Sequence, residues 1–287
     1  MINLKSRINN LLSFIKPDLD FDSVSKSGLK SLYRFTYFDK DLFYEDILKN
    51  ILFFPSNSQL NDPFDSQIPT RYDLGNEKAL NEYLKNIVTK NVSESVKIDY
   101  LLNAAKQELK NNPLKFQNNI DNLVERKVGI LALTENHKNL LLWSHYAHKH
   151  TGFCVELDAQ SLNNIIINEF KVNRELAFIF KVKYQNKFPI INPFKHTTNE
   201  RLQLQFLIKS KDWKYEQEWR IILMNGSRQK REIPPEVIRN IYFGLNAHPD
   251  NIQKSRAILK KFNPKIGLNK AIKKKDTFGL EFIKLGE

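Results

Sequence analysis

The chain is punctuated by short apolar runs that are too brief for helices. "LYRFT" (Leu32 to Thr36), "ILFFPS" (Ile51 to Ser56), "VGILALT" (Val128 to Thr134), "GFCVELD" (Gly152 to Asp158), "WRIILM" (Trp219 to Met224) and "IRNIYFG" (Ile238 to Gly244) each have the length and the turn-rich flanks of a buried strand. "FIFKVKYQN", from Phe178, is a seventh candidate. Helix-period segments lie between some of them but not all. A doubly wound sheet requires strict strand–helix alternation, so the expected class is α+β, with a mixed, mainly antiparallel sheet as its core. No linker rich in Gly, Pro or Ser divides the 287 residues, which predicts one domain over 1–287. Residues 75–126 are polar and leucine-spaced and predict a helical insertion.

Local signals refine this outline. "GFCVELD" alternates, placing Phe153, Val155 and Leu157 on one face and Cys154 and Glu156 on the other. Thr197 followed by Glu200 is a capping box and starts a helix. Residues 139–150 predict a helix ended by Gly152, and Asp250 is expected to cap another. The first residues suggest an amphipathic helix, with Ile2, Leu4, Ile8, Leu11, Leu12 and Ile15 on one side. They contain no long apolar signal region, and no stretch is apolar enough to span a membrane.

Lys and Arg exceed Asp and Glu by 45 to 32, a net charge of +13. That balance favours polyanionic partners, nucleic acid among them, although an evenly lysine-rich solvated surface has the same composition. The basic runs include Arg228 to Arg231 and Lys273-Lys274-Lys275. Only nine glycines are present, and none forms a phosphate-cradling loop motif. A single cysteine, Cys154, excludes an intrachain disulfide and fits a reducing cytoplasm. Its apolar strand setting predicts an inert buried thiol.

Candidate site residues fall in four segments. "WSHYAHKH" holds His145, His148 and His150, without the further ligands that a zinc site needs. No metal site is expected there, and the histidines are better suited to capping or lining a pocket. "WKYEQEW" holds Glu216 and Glu218 at i, i+2, which puts both carboxylates on one face if the segment is extended. One carboxylate could then bond a sugar hydroxyl while the other takes a proton. An exposed strand edge with Glu218 paired to Arg220 or to a distant lysine is the structural alternative. Arg34, on a strand among aromatics, needs an anionic partner, either a phosphate or one of Asp62, Asp65 and Glu156. In "NDPFD", Asn61, Asp62 and Asp65 suit a proline turn with a local arginine pairing.

In combination, "LYRF", "ILFFPS", "NDPFD", "LLWSHYAHKHTGFCVEL", "WKYEQEWRI" and "IYFG" resemble the bacterial domain-of-unknown-function family 2971, from about Leu32 to Gly244. That resemblance implies no activity. A second one is to ADP-ribosyltransferases of the Arg–Ser–Glu type. These have an arginine on the first core strand, a serine-bearing strand, and a Glu-x-Glu before a late strand. Arg34 matches the first element and Glu216-x-Glu218 the third, while Ser56 and Ser144 are the candidates for the second.

This second resemblance implies NAD as substrate, with Arg34 on its pyrophosphate, Glu218 on the ribose and Glu216 at the acceptor. Trp143, Tyr146 or Tyr215 would stack on a ring, and Ser56, Ser144 and His145 would lie nearby. It implies a nucleic-acid or protein acceptor, and a toxin or phage-defence role. A nucleic-acid-binding module without catalysis, and a metal-dependent hydrolase or nuclease using His145, His150 and Glu156, remain the alternatives.

Overall fold

All six apolar runs are strands, and five of them lie side by side in one sheet. The computed structural model describes residues 22–39, 44–89, 95–112, 118, 126–172 and 177–286. The expected N-terminal helix falls outside them. The strands are β1 (Ser31–Thr36), β2 (Ile51–Phe54), β3 (Val128–Thr134), β4 (Phe153–Asp158), β5 (Ala177–Lys181), β6 (Lys183–Gln185), β7 (Ile208–Ser210), β8 (Glu218–Met224), β9 (Gln229–Glu232), β10 (Ile238–Phe243), β11 (Gly267–Lys273) and β12 (Leu280–Lys284). Eight form one sheet in the order β12-β11-β10-β4-β1-β3-β8-β5. Its neighbours are antiparallel except the β10–β11 pair. The expected α+β class with a mainly antiparallel sheet is therefore correct.

Two small pairs flank the sheet: β2 with β9, antiparallel, and β6 with β7, parallel. The "ILFFPS" run is thus a strand of a side ribbon. Leu52 and Phe54 still reach the main core. Strands β9, β11 and β12 carry too little apolar alternation to be read from sequence.

The helices are α1 (Val24–Ser27), α2 (Tyr44–Leu48), α3 (Glu77–Thr89), α4 (Ser95–Asn111), α5 (Leu140–Tyr146), α6 (Ala159–Val172), α7 (Thr198–Phe206) and α8 (Pro249–Phe262). Helices α3 and α4 lie against each other in the stretch expected to be helical. Thr197 and Glu200 cap α7 reciprocally. Helix α8 is capped by the His248 side chain, with Asp250 in its first turn instead of at the cap.

The sheet is buried on both faces at its centre, and all seven residues of β8 are buried. On one face Leu32, Leu131, Leu133, Phe153, Val155, Leu157, Trp219, Ile221 and Leu223 pack with Leu162 and Ile166 of α6. The other face holds two apolar clusters. One gathers Ile130, Ile222 and Met224 with Phe206; the other gathers Phe35 and Cys154 with Leu142 and Trp143 of α5. The alternation predicted for "GFCVELD" is observed.

Helix α5 is shorter than the 139–150 expected. The Asn139 side chain caps it by accepting from the amides of Leu141 and Leu142. After Tyr146 the chain turns sharply, with left-handed φ values of 45°, 56° and 66° at His148, Lys149 and His150. This turn returns the chain to β4 through Gly152. Gly152 and Gly244 stand back to back, with the Gly244 amide donating to the Gly152 carbonyl at 2.8 Å. A Cβ on Gly244 would come within 2.2 Å of the His150 carbonyl oxygen and 3.0 Å of that of Gly152. Backbone cannot yield there as a side chain can. Gly244→Ala is expected to destabilise the fold by about 1–3 kcal/mol through overpacking. Urea unfolding measures this, and a midpoint equal to wild type would show that the two turns are not tightly opposed.

Candidate functional site

Arg220 is an arginine in the middle of a central strand, with none of its surface exposed. Alternation puts it on the same face as Glu218 and Ile222. A guanidinium has five N–H groups and no way to shed its charge, so burial requires an acceptor for each. They are present. Nε donates to Glu218 Oε1 at 2.7 Å, and Nη2 to Glu218 Oε2 at 3.1 Å. Nη1 donates to Asp65 Oδ1 and to the Phe206 carbonyl, each at 2.8 Å, and to Ser66 Oγ at 3.2 Å. A further bond joins Nη2 to Asp65 Oδ2.

Lys209, on β7, extends the network. Its ammonium donates to Glu216 Oε2 at 2.6 Å and to Glu218 Oε2 at 3.0 Å, and lies 3.5 Å from Asp65 Oδ2 and 5.1 Å from the centre of the Trp213 ring. Glu216 Oε1 accepts from the Tyr146 hydroxyl at 2.5 Å, and the Asn61 amide donates to that hydroxyl at 2.9 Å. The segments "NDPFD", "WSHY" and "EQEWR" thus meet at one point, joined by a lysine that no motif announced.

The charges settle accordingly. Burial alone would raise Asp65 and Glu218, but Arg220 beside each holds both below the ordinary carboxylate range. Burial would lower Lys209, and Glu218, Asp65 and Glu216 outweigh it. Glu216 is the exception. Burial pushes it up, joined by the Glu218 charge, and its bonds to Lys209 and Tyr146 offset this only in part. Tyr146 is pushed up by burial and by the neighbouring Glu216 charge.

Glu216 and Glu218 do converge, but not as an extended pair. Lys211–Glu216 forms a 3-10 helix, Gln217 takes left-handed φ and ψ of 46° and 50°, and only Glu218 begins the strand. Both oxygens of Glu218 accept from Arg220, and Oε2 also from Lys209. Neither glutamate is peripheral, with 4% and 3% of their surfaces exposed.

A polar row crosses the sheet beside this cluster. Asn240 pairs with Glu156, Glu156 with Tyr33, Tyr33 with Thr134, and Thr134 with Glu218, on adjacent strands β10, β4, β1, β3 and β8. Glu156 accepts from Ser31 at 2.6 Å, Asn240 at 2.7 Å and Tyr242 at 2.8 Å. Burial pushes Tyr33 up to about 12. His137 stacks on Tyr33 with centroids 4.5 Å apart, and burial lowers it to about 4. Thr134 Oγ1 donates to the Glu216 carbonyl at 2.6 Å.

Arg34 is part-buried. Strands β1 and β3 share one ladder pair, and beyond it Arg34 Nη1 donates to the Ala132 carbonyl at 2.8 Å. That is its one hydrogen bond among the described residues. Burial lowers its pKa, opposed by the neighbouring Glu218 and Tyr146. The structural alternative of a bridge from Arg34 to Asp62, Asp65 or Glu156 is not formed.

Other expected site residues lie apart. Ser56 is fully buried and caps the 3-10 turn Asn57–Gln59. Trp143 is fully buried, edge-on to Phe35, with Nε1 donating to the His137 carbonyl, so its ring has no face for a ligand. Ser144 and His145 are on the exposed side of α5. His148 lies beyond the end of the helix. His150 stacks over Trp143 at 6.0 Å. Tyr215 packs at the cluster edge and offers its carbonyl to Asn139. Among the described residues, no three His, Cys, Asp or Glu side chains are grouped to hold a metal ion. Burial pushes the Cys154 thiol well up, as expected of an inert cysteine.

Residues 142–221 match the model of the family described as protein of unknown function (DUF2971). The match contains Tyr146, Lys209, Glu216, Glu218 and Arg220; Arg34, Asn61 and Asp65 lie outside it. No curated protein and no solved structure matches the chain.

Removing one partner from a buried ion network strands the other. Asp65→Asn is expected to cost about 3 kcal/mol at pH 7. Because the folded pKa of Asp65 is depressed, this contribution is complete above its unfolded value of about 4 and is lost as pH falls below it. Urea unfolding of both proteins from pH 7 to pH 3 should show the gap narrowing. A gap that is constant with pH would mean that Asp65 carries no charge in the fold.

Proposed function

We propose that the chain is an NAD-using transferase of ADP-ribosyltransferase type, with Arg34, Tyr146 and Glu216 at its working site. One observation carries this reading. Three adjacent strands, β1, β3 and β8, bear in chain order Arg34, Thr134 and Glu218, and Glu216 stands two residues before Glu218 at the entry to β8. Thr134 stands where Ser56 and Ser144 do not, and bonds directly to the Glu216 backbone.

The roles follow from what each side chain has left to offer. Arg34 uses one N–H on Ala132, and the rest of its planar fork suits a pyrophosphate. Glu218 anchors Arg220 and Lys209 and so fixes the start of β8. Glu216 is the carboxylate with a raised pKa, the property that suits a general base near neutral pH. In the transfer, the bond from ribose C1 to nicotinamide breaks and nicotinamide leaves with the electron pair. The resulting oxocarbenium is attacked by an acceptor whose proton passes to Glu216. Tyr146, held by Asn61, orients that carboxylate. Among the described residues, no helix is long and apolar enough to cross a membrane.

The test is NAD turnover and transfer of labelled ADP-ribose into cell extract. NAD should raise the wild-type Tm by mass action, and Arg34→Ala should abolish the rise. Glu216→Gln should lower turnover by about two to four orders of magnitude. A wild type that neither turns over NAD nor gains stability from it would sink the proposal.

A further inference from the structure

Beside the buried network, bordered by its Asp65 and Lys209, lies an open cleft of about 60 Å³. Asp62, Asp65, Lys209 and Ser210 line it along with two phenylalanines. Phe64 and Phe188 are 65% and 53% exposed, and their rings are tilted at 46° with centroids 6.4 Å apart. Large rings are seldom left this open, and here two stand together over a polar floor.

The floor has a directional preference. Asp62 is buried, and its Oδ1 accepts from the Phe64 amide at 2.9 Å, which fixes the ring's position. Its second oxygen has no partner among the described residues. The rim is cationic. Strands β6 and β7 run parallel with Gln185 opposite Ser210, so the chains leaving them bring Lys187 and Lys211 out at the same edge. Both lysines are exposed.

We propose that this cleft takes an unstacked base of a single-stranded nucleic acid. A phenyl ring stacks on its face, Asp62 Oδ2 accepts from an exocyclic amine at its edge, and Lys187 and Lys211 meet the flanking phosphates. Stacking tolerates any base, whereas a carboxylate acceptor favours those presenting an amine, cytosine and adenine over thymine. The net charge of +13 suits a polyanion. This site stands whether or not the chain transfers ADP-ribose. If it does, Lys209 links the stacked base to Glu216.

Fluorescence anisotropy of the full chain with labelled 12-mers of dC, dA and dT, and with a duplex, tests this. The expected order is dC and dA tighter than dT, with the duplex weakest. The double variant Phe64→Ala/Phe188→Ala should bind single strands about 10-fold or more weakly, with an unchanged salt slope. Lys187→Ala should weaken all sequences alike and flatten the slope. Asp62→Asn, which keeps an oxygen for the Phe64 amide and turns the free edge into a donor, should shift preference towards dT. Circular dichroism melts verify that the variants remain folded; if the double variant does not, Asp62→Asn alone decides the matter. Single-strand binding unaffected by these variants, duplex binding as tight as single-strand binding, or a wild type that binds no oligonucleotide at 50 mM salt would overturn the assignment. So would NAD competing fully with the oligonucleotide while dT binds as well as dC.

Discussion

Everything around the candidate site depends on one buried guanidinium. Arg220 cannot lose its proton, so its place in the centre of β8 obliges the fold to bring it anions. Asp65 comes from a loop 155 residues away in sequence, Glu218 from the same strand, and the Phe206 carbonyl from the end of α7. Three carboxylates then share two cations, Arg220 and Lys209, leaving an excess of negative charge in a buried place. Glu216, the carboxylate farthest from Arg220, takes the strain as a raised pKa. A structural ion network thereby raises the pKa of the carboxylate at its edge.

The same constraint explains why the histidine-rich segment is frame. Helix α5 must end at Tyr146 for that hydroxyl to reach Glu216, and the following left-handed residues turn the chain back into β4 through Gly152. His148 and His150 occupy this turn, and Trp143 seals the core below it. The cluster that dominates the sequence to the eye is a clamp for a single tyrosine.

The polar row from Asn240 to Glu218 adds a second consequence. It crosses five strands of a sheet whose opposite face is apolar. Its members are paired with one another, so the row is tolerated in a buried setting. Arg34 stands beside the row with donors to spare, which distinguishes it from Arg220, whose donors are all used.

Short apolar runs, the capping box at Thr197 and the alternation of "GFCVELD" were legible in the sequence because strand length, local capping and period-two patterning are properties of consecutive residues. They determined the α+β class, the central strands and an inert Cys154. The polar strands β9, β11 and β12 were not legible, since they lie at or next to the margins of their sheets and carry little apolar alternation. The pairing of Glu218 with Arg220 was legible, but the geometry that brings Glu216 beside it was not: their spacing suggested an extended pair, and a 3-10 turn with a left-handed Gln217 brought them together instead. Lys209 and Thr134 carried no motif at all. Sequence marked Arg34, Asn61, Tyr146 and the two glutamates as candidate residues. Only the tertiary structure decided which partners they have, because a buried charge is neutralised by whatever the fold brings within about 3 Å, and sequence separation puts no limit on that distance.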